Sequence, residues 1–154
     1  MKIKTYLILL IILTLAACRY DEGPMLSFRT VENRVAQHFI LIEFTEDDSD
    51  MTQTLLDSCG QYWNFFDNTY SVYAQSIVLG YDPTIGMARY FAEWHLQNKN
   101  KEIKIIYNDI LGIKPFENYS TTIWKIERLT KQEMWLSCTY NNSDYYLKLE
   151  EDED

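Results

Sequence analysis

Basic residues, histidine and glycine are all in short supply, and each shortage removes a class of function. Fourteen lysines and arginines face 23 acidic residues, leaving a formal charge of −9. A surface of that sign repels phosphate backbones and anionic headgroups, so nucleic-acid binding is not expected. The two histidines, His38 and His95, stand apart with no metal-ligand spacing around either. They read as outward-facing strand residues rather than a zinc pair. Five glycines build no phosphate-cradling loop and no Gly-x-Ser-x-Gly elbow, and no His-Glu-x-x-His occurs. Glu46-Asp47-Asp48-Ser49-Asp50 alternates acids as a calcium loop does. Met51 stands where that loop needs its glycine, however, and Asp57 where it needs a glutamate, so an acidic hairpin loop is the simpler reading. The many carboxylates single out no acid pair. No cofactor is implied, and a non-catalytic protein is expected.

Long apolar runs are also missing, save one near the N-terminus. Lys2 and Lys4 precede an apolar and small-residue stretch over 6–17. A basic start, a short apolar core and small residues before a cut make an export signal. The run falls short of the roughly 20 residues that a membrane-crossing helix needs. Leu15-Ala16-Ala17-Cys18 resembles a lipobox, in which cleavage precedes the cysteine and its thiol takes the diacylglycerol. The alternatives are an ordinary secretory signal and an uncleaved anchor. Residues 1–17 are thus expected to be a lipoprotein signal peptide, with Cys18 as the lipidated residue that attaches the protein to a membrane. Arg19-Tyr20-Asp21-Glu22 is similar to the export signal that places lipoproteins of Bacteroidota on the outer face of the outer membrane. The periplasmic face is the alternative, and the same residues would then be a solvated tether.

Loss of the signal leaves 12 of the 14 basic residues against all 23 acidic ones, a formal charge of −11. Residues 18–32 form the lipidated N-terminus and tether, 33–150 one domain, and 151–154 the end of an acidic tail. With Cys18 lipidated, Cys59 and Cys138 remain as a pair in an oxidising compartment. Either they are bridged or they are two buried thiols behaving as small hydrophobes.

What the mature chain has in quantity is aromatic and β-branched residues, including 12 tyrosines. No 3.6-residue apolar pattern lasts beyond a turn or two, and period-2 stretches recur between Asp, Asn, Gly and Lys clusters. One helical turn over 30–35 is followed by eight expected strands: 38–44, 61–66, 70–77, 87–97, 102–107, 121–129, 133–140 and 145–150. The fourth is the clearest, with Ala88, Tyr90, Ala92, Trp94 and Leu96 on one face. The expected fold is all-β, an up-and-down antiparallel barrel of eight strands, with a two-sheet sandwich as the competing architecture.

Two stretches carry a family resemblance. Residues 33–44, Asn-Arg-Val-Ala-Gln-His-Phe-Ile-Leu-Ile-Glu-Phe, look like the opening strand of lipocalin-like lipoproteins from Bacteroidota. Ile123-Trp124-Lys125-Ile126-Glu127-Arg128-Leu129-Thr130, followed by Glu133-Met134-Trp135-Leu136, is similar to their late strand-turn-strand. Lipocalins usually carry Gly-x-Trp on the first strand, where this chain has Gln37-His38-Phe39: an aromatic is kept and the glycine is gone. The resemblance implies a lipocalin-like eight-stranded barrel that binds a small apolar molecule.

Loop lengths add geometry. The first, third and fifth connections, 45–60, 78–86 and 108–120, are long, while the second, fourth and sixth are tight turns. In an up-and-down barrel the long loops gather at one end, and the chain enters from the other, where the lipid tether belongs. Tyr81, Ile85, Ile113, Phe116 and Tyr119 on those loops are candidates to contact a ligand or a partner at the barrel mouth. Alternatively they fold inward as a cap. The expected inward residues Tyr90, Trp94, Ile103, Ile105, Trp124, Ile126, Met134 and Leu136 are bulky, which favours a mostly filled barrel. Two functions follow: a membrane-anchored binder of a small apolar ligand, or a solid-barrel subunit contacting another envelope protein. If the rim faces outward from the cell, a protease added to intact cells cuts within 108–120. Protection of that loop until the outer membrane is permeabilised would overturn the surface placement.

Overall fold

The computed structural model describes residues 29–67, 76–79, 90–107, 113–116 and 120–153. The expected signal peptide and Cys18 lie outside these residues, as do Tyr81, Ile85 and Tyr119.

Helix α1, Val31–Val35, begins where Thr30 Oγ1 accepts a hydrogen bond from the Asn33 N–H at 3.2 Å. Glu32 in its first turn and Arg34 in its last complement the helix dipole. Strand β1, His38–Glu46, follows and turns through Asp47 and Asp48 into the two-residue strand β2, Ser49–Asp50. Helix α2 is Thr52–Cys59, and β3 to β5 are Tyr62–Phe66, Ser76–Leu79 and Tyr90–Gln97. The rest is β6, Glu102–Tyr107; β7, Thr121–Leu129; β8, Glu133–Tyr140; and β9, Ser143–Glu151.

From β3 onward each strand pairs antiparallel with the next in sequence, and β1 pairs with both β3 and β9. The β1–β9 ladder runs from Phe39 opposite Glu151 to Glu46 opposite Tyr145, and it closes eight strands into a ring. The strand order is the up-and-down order of lipocalin-like barrels. Closure satisfies the backbone groups that an open edge would leave unpaired.

Alternation decides which side chains fill the ring. On β6, Ile103, Ile105 and Tyr107 point inward, and on β8, Met134, Leu136 and Cys138 do. Two bulges reset the phase, between Leu41 and Glu43 on β1 and between Ile126 and Arg128 on β7. The extra residue in each turns Phe44 and Leu129 back into the core. Trp63, Trp94 and Trp124 are fully buried and span the interior. Eight strands enclose a space that side chains can just fill, and here they fill it. The inward aliphatic and tryptophan positions read from the sequence, Trp94, Ile103, Ile105, Trp124, Ile126, Met134 and Leu136, are all buried.

Several boundaries differ from the sequence reading: β1 runs on to Glu46 rather than ending at 44, and β9 begins at Ser143 rather than 145. The third expected strand, 70–77, is described only from residue 76, as β4 at 76–79, so it ends two residues later than expected; its residues 70–75 lie outside the described ones. The fourth is described from Tyr90 rather than from residue 87. The first long connection is not a plain loop, because it contains α2. Leu55 and Cys59, one helical turn apart, are its buried residues, and a single short stripe of this kind leaves little periodic signal. Gly60, at φ 76°, then releases the chain from the helix. At the C-terminus the acidic run starts inside the sheet: Glu150 and Glu151 belong to β9, and the Asp152 N–H donates to His38 O at 3.0 Å.

The barrel floor is sealed by α1. Val35 is buried against the core, and Arg34 reaches across to donate from Nη1 to Leu129 O at 3.0 Å. Phe39 stands above it, edge-on to Phe65 with ring centres 5.9 Å apart. Phe39→Ala should cost about 3–5 kcal/mol through lost transfer energy and a residual cavity. Ile123→Ala, on the 52 % exposed outer wall, should stay within about 0.5 kcal/mol. Urea midpoints of the two variants check this; equal costs would mean that Phe39 is not packed as described.

Candidate functional site

The strand directions sort the connections between two ends. The end of β1, the end of β4, the start of β5, the end of β6 and the start of β7 lie at one end, the mouth. Turns 98–101 and 130–132, the start of β1 and the end of β9 share the other. The mouth is the candidate site, and the chain enters from the far side of the barrel.

Two pieces of chain cover the described mouth. Helix α2 lies over one part. The Phe44 N–H donates to Thr52 Oγ1 at 2.9 Å and Met51 N–H donates to Phe44 O at 2.8 Å, so the start of the helix is tied to β1. Its apolar stripe then drops Leu55 and Cys59 onto the core. The second piece is 113–116. Phe116 N–H donates to Ile113 O at 2.7 Å, the two residues form an isolated bridge, and the Phe116 ring is completely buried.

Phe116 sits in a box of aromatic rings. It stacks on Trp124 at 5.9 Å and 16°, and it meets Tyr107 edge-on at 5.3 Å and Trp63 at 5.6 Å. Phe44 tilts against it at 5.4 Å, and Tyr145 stacks in turn on Phe44 at 5.9 Å. Such pairs each contribute about 0.5–1.5 kcal/mol beyond area burial. The box also has polar atoms in its walls. Trp124 Nε1–H donates to Thr122 Oγ1 at 2.8 Å, and Thr122 in turn donates to the Tyr107 hydroxyl at 3.2 Å. Burial holds the Tyr107 phenol well above its ordinary pKa, with the Thr122 and Trp124 hydrogen bonds acting the other way. It is a neutral hydroxyl throughout the physiological range. Trp63 Nε1 is buried and has no hydrogen-bond acceptor. The Cys59 sulfur lies near enough for this N–H to favour its thiolate, but a thiol sulfur is a weak acceptor and no bond of normal geometry forms.

Of the five residues expected at the mouth, two are described. Ile113 is half-buried and packs against the core, and Phe116 points down into it. Both act as a cap here, the alternative that the sequence left open. The ring that Phe116 completes could not be found from sequence, because Phe44, Trp63, Tyr107 and Trp124 come from four strands. The Cys59–Cys138 bridge is not formed: both are buried free thiols. Cys59 Sγ turns back on its own helix, to Leu55 O at 3.3 Å and Gly60 O at 3.5 Å, while Cys138 faces inward from β8.

Elsewhere, an open groove of about 490 Å³ runs along the outer wall near the floor, lined by Ile40, Gln132, Glu133 and the acidic residues 150–153. Its carboxylates are largely engaged: Glu133 with Arg128 at 2.6 Å, Glu150 with Lys148 at 3.0 Å and Glu151 with Lys131 at 3.4 Å. His38 Nδ1 pairs with Asn64 Oδ1 at 2.8 Å, and His95 stands 4.0 Å from Glu93 on the outer wall, so the two histidines make separate contacts. Among the described residues no three His, Cys, Asp or Glu side chains are grouped to hold a metal ion.

No family model matches this sequence, and no curated protein matches it. Among solved structures, the chain is similar to a lipocalin-like protein from Bacteroides uniformis, with a TM-score of 0.46 and 17 % identity over 77 % of this chain and 99 % of that one. The lipocalin-like description of the fold rests on this chain's own strand order and its closure through β1 and β9.

The two thiols give a direct test of the sealed mouth. Burial pushes both Cys59 and Cys138 up to about 12 from 9.0. At pH 8 they should react with a thiol-specific reagent orders of magnitude more slowly than in the denatured protein. Because the unfolded chain ionises first, their contribution to stability is complete below about pH 9 and declines as pH rises toward 12. Urea midpoints at pH 7 and pH 10 should show that loss; rapid labelling of both thiols in the native protein would contradict the packing.

Proposed function

We propose that this protein is a lipoprotein, lipidated at Cys18 and held on the outer membrane, whose barrel binds a small apolar molecule at its mouth without catalysis. The observation that carries this reading is the aromatic box around Phe116. Four rings from separate strands converge on a position that the sheet itself leaves vacant and that a residue from a connecting segment fills. A barrel of eight strands holds at most one small ligand, and with Trp63, Trp94 and Trp124 filling the shaft, the mouth is where it would go. Since the chain enters at the opposite end, a lipid on Cys18 leaves the mouth pointing away from the membrane, at the cell surface on the reading of residues 19–22.

A second reading has its own support. The same filled interior suits a solid-barrel subunit that contacts another envelope protein and takes up no ligand.

Native mass spectrometry of the full-length protein from its host envelope, released from detergent in the gas phase, separates the two. A reproducible extra mass that is lost on denaturation supports the ligand reading. A bare lipoprotein mass, together with no uptake of added laurate, moves the assignment to the interaction subunit. The anchor is tested apart from this: Cys18→Ser should shift the protein from the membrane fraction to the soluble one. Retention of that variant on the membrane would overturn the lipid attachment.

A further inference from the structure

The residue now filling the box indicates what the ligand must look like. Segment 113–116 is held locally, by the Phe116 N–H on Ile113 O and by Ser120 Oγ on Pro115 O. Among the described residues its backbone makes no ladder with a barrel strand, so the Phe116 ring can leave without breaking the barrel. The space it would vacate is a slot one ring thick. Trp124 lies parallel to it at 16°, and Tyr107 and Trp63 present their planes at 86° and 69°. A flat aromatic group satisfies all three contacts at once, because stacked and edge-on geometries both need a ring in that plane. A flexible acyl chain satisfies none of them beyond contact area.

One wall of the slot also carries a poorly satisfied donor. Trp63 is fully buried, its ring meets the Phe116 ring edge-on, and its Nε1–H has no acceptor beyond the weak Cys59 sulfur, with which it makes no bond of normal geometry. A buried donor left in this state carries a desolvation cost that an incoming acceptor would remove. The donor of Trp124, by contrast, is already taken by Thr122. Phenylalanine supplies the plane but has no acceptor to offer.

We propose that Phe116 is an internal stand-in for a planar aromatic ligand bearing a hydrogen-bond acceptor, which binds by displacing this ring and accepting from Trp63 Nε1–H. The inference rests on the mouth-binding reading above and narrows it to one ligand class, bound in competition with the protein's own side chain.

The test uses the full-length chain in detergent micelles, with coumarin as a planar probe with a carbonyl, naphthalene as a planar probe without one, and laurate as a flexible apolar probe. Wild type and variants are compared in the same micelles, so that probe partitioning cancels. The four tryptophan indole N–H resonances are followed by NMR, with the Trp63 signal assigned from Trp63→Phe. Phe116→Ala should bind coumarin at least tenfold more tightly than wild type and shift the Trp63 indole signal downfield. Naphthalene should gain from the same substitution without that shift, and Trp63→Phe should abolish the preference for coumarin. If Phe116→Ala does not fold, Phe116→Leu and a wild-type titration decide, since excess coumarin must produce the same Trp63 shift. Laurate binding with no advantage for coumarin would overturn this inference and leave mouth binding standing. No binding of any probe by folded wild type or variant would overturn both.

Discussion

Seven residues of β1 between Phe39 and Glu46 pair with β9, and that ladder turns a meander of strands into a ring. Everything else follows from the closure. Strand number sets barrel width, and at eight strands the interior has room for one layer of large side chains and little more. Three tryptophans occupy the shaft, α1 with Val35 seals the floor, and the mouth is the one end where connecting segments, not strands, decide what is covered. The two bulges serve the same constraint, because without them the far halves of β1 and β7 would turn Phe44 and Leu129 outward.

The chemistry of the interior follows from that width. Three tryptophans and a tyrosine in a narrow space bring indole and phenol groups out of water, and each needs a partner. Trp94 Nε1 finds Phe66 O at 3.1 Å, and Trp124 finds Thr122. Trp63 finds only the weak Cys59 sulfur, and its ring packs against Phe116, which a connecting segment supplies. The poorly satisfied donor and the ring from the connecting segment therefore belong to neighbouring side chains of one aromatic box. The same dry surroundings keep Cys59 and Cys138 as protonated thiols and Tyr107 as a neutral hydroxyl at physiological pH.

Much of the fold was legible because a strand with one buried face writes its own pattern. Burial alternates strictly over 102–107 and 133–138, where the sequence alternates too. The Asn141-Asn142 turn was equally readable, since both residues adopt positive φ, 51° and 68°, as a two-residue hairpin requires. Legibility failed at 52–59, where a two-turn helix has too few residues for periodicity to show. For the mouth, the sequence named Ile113 and Phe116 on one of its long connections. It could not say which way they point.

The sequence by itself determined the all-β class, the eight strands of the barrel and the acidic, glycine-poor composition. These depend on local pattern and composition, which a linear chain displays. Only the tertiary structure decided that the ring closes through β1 and β9, that Cys59 and Cys138 stay apart as thiols, and that Phe116 turns inward onto Trp124 with the Trp63 ring edge-on beside it. Each joins residues tens of positions apart, and whether such groups meet is settled by barrel geometry and by competition for interior space, neither of which is written in any one stretch of chain.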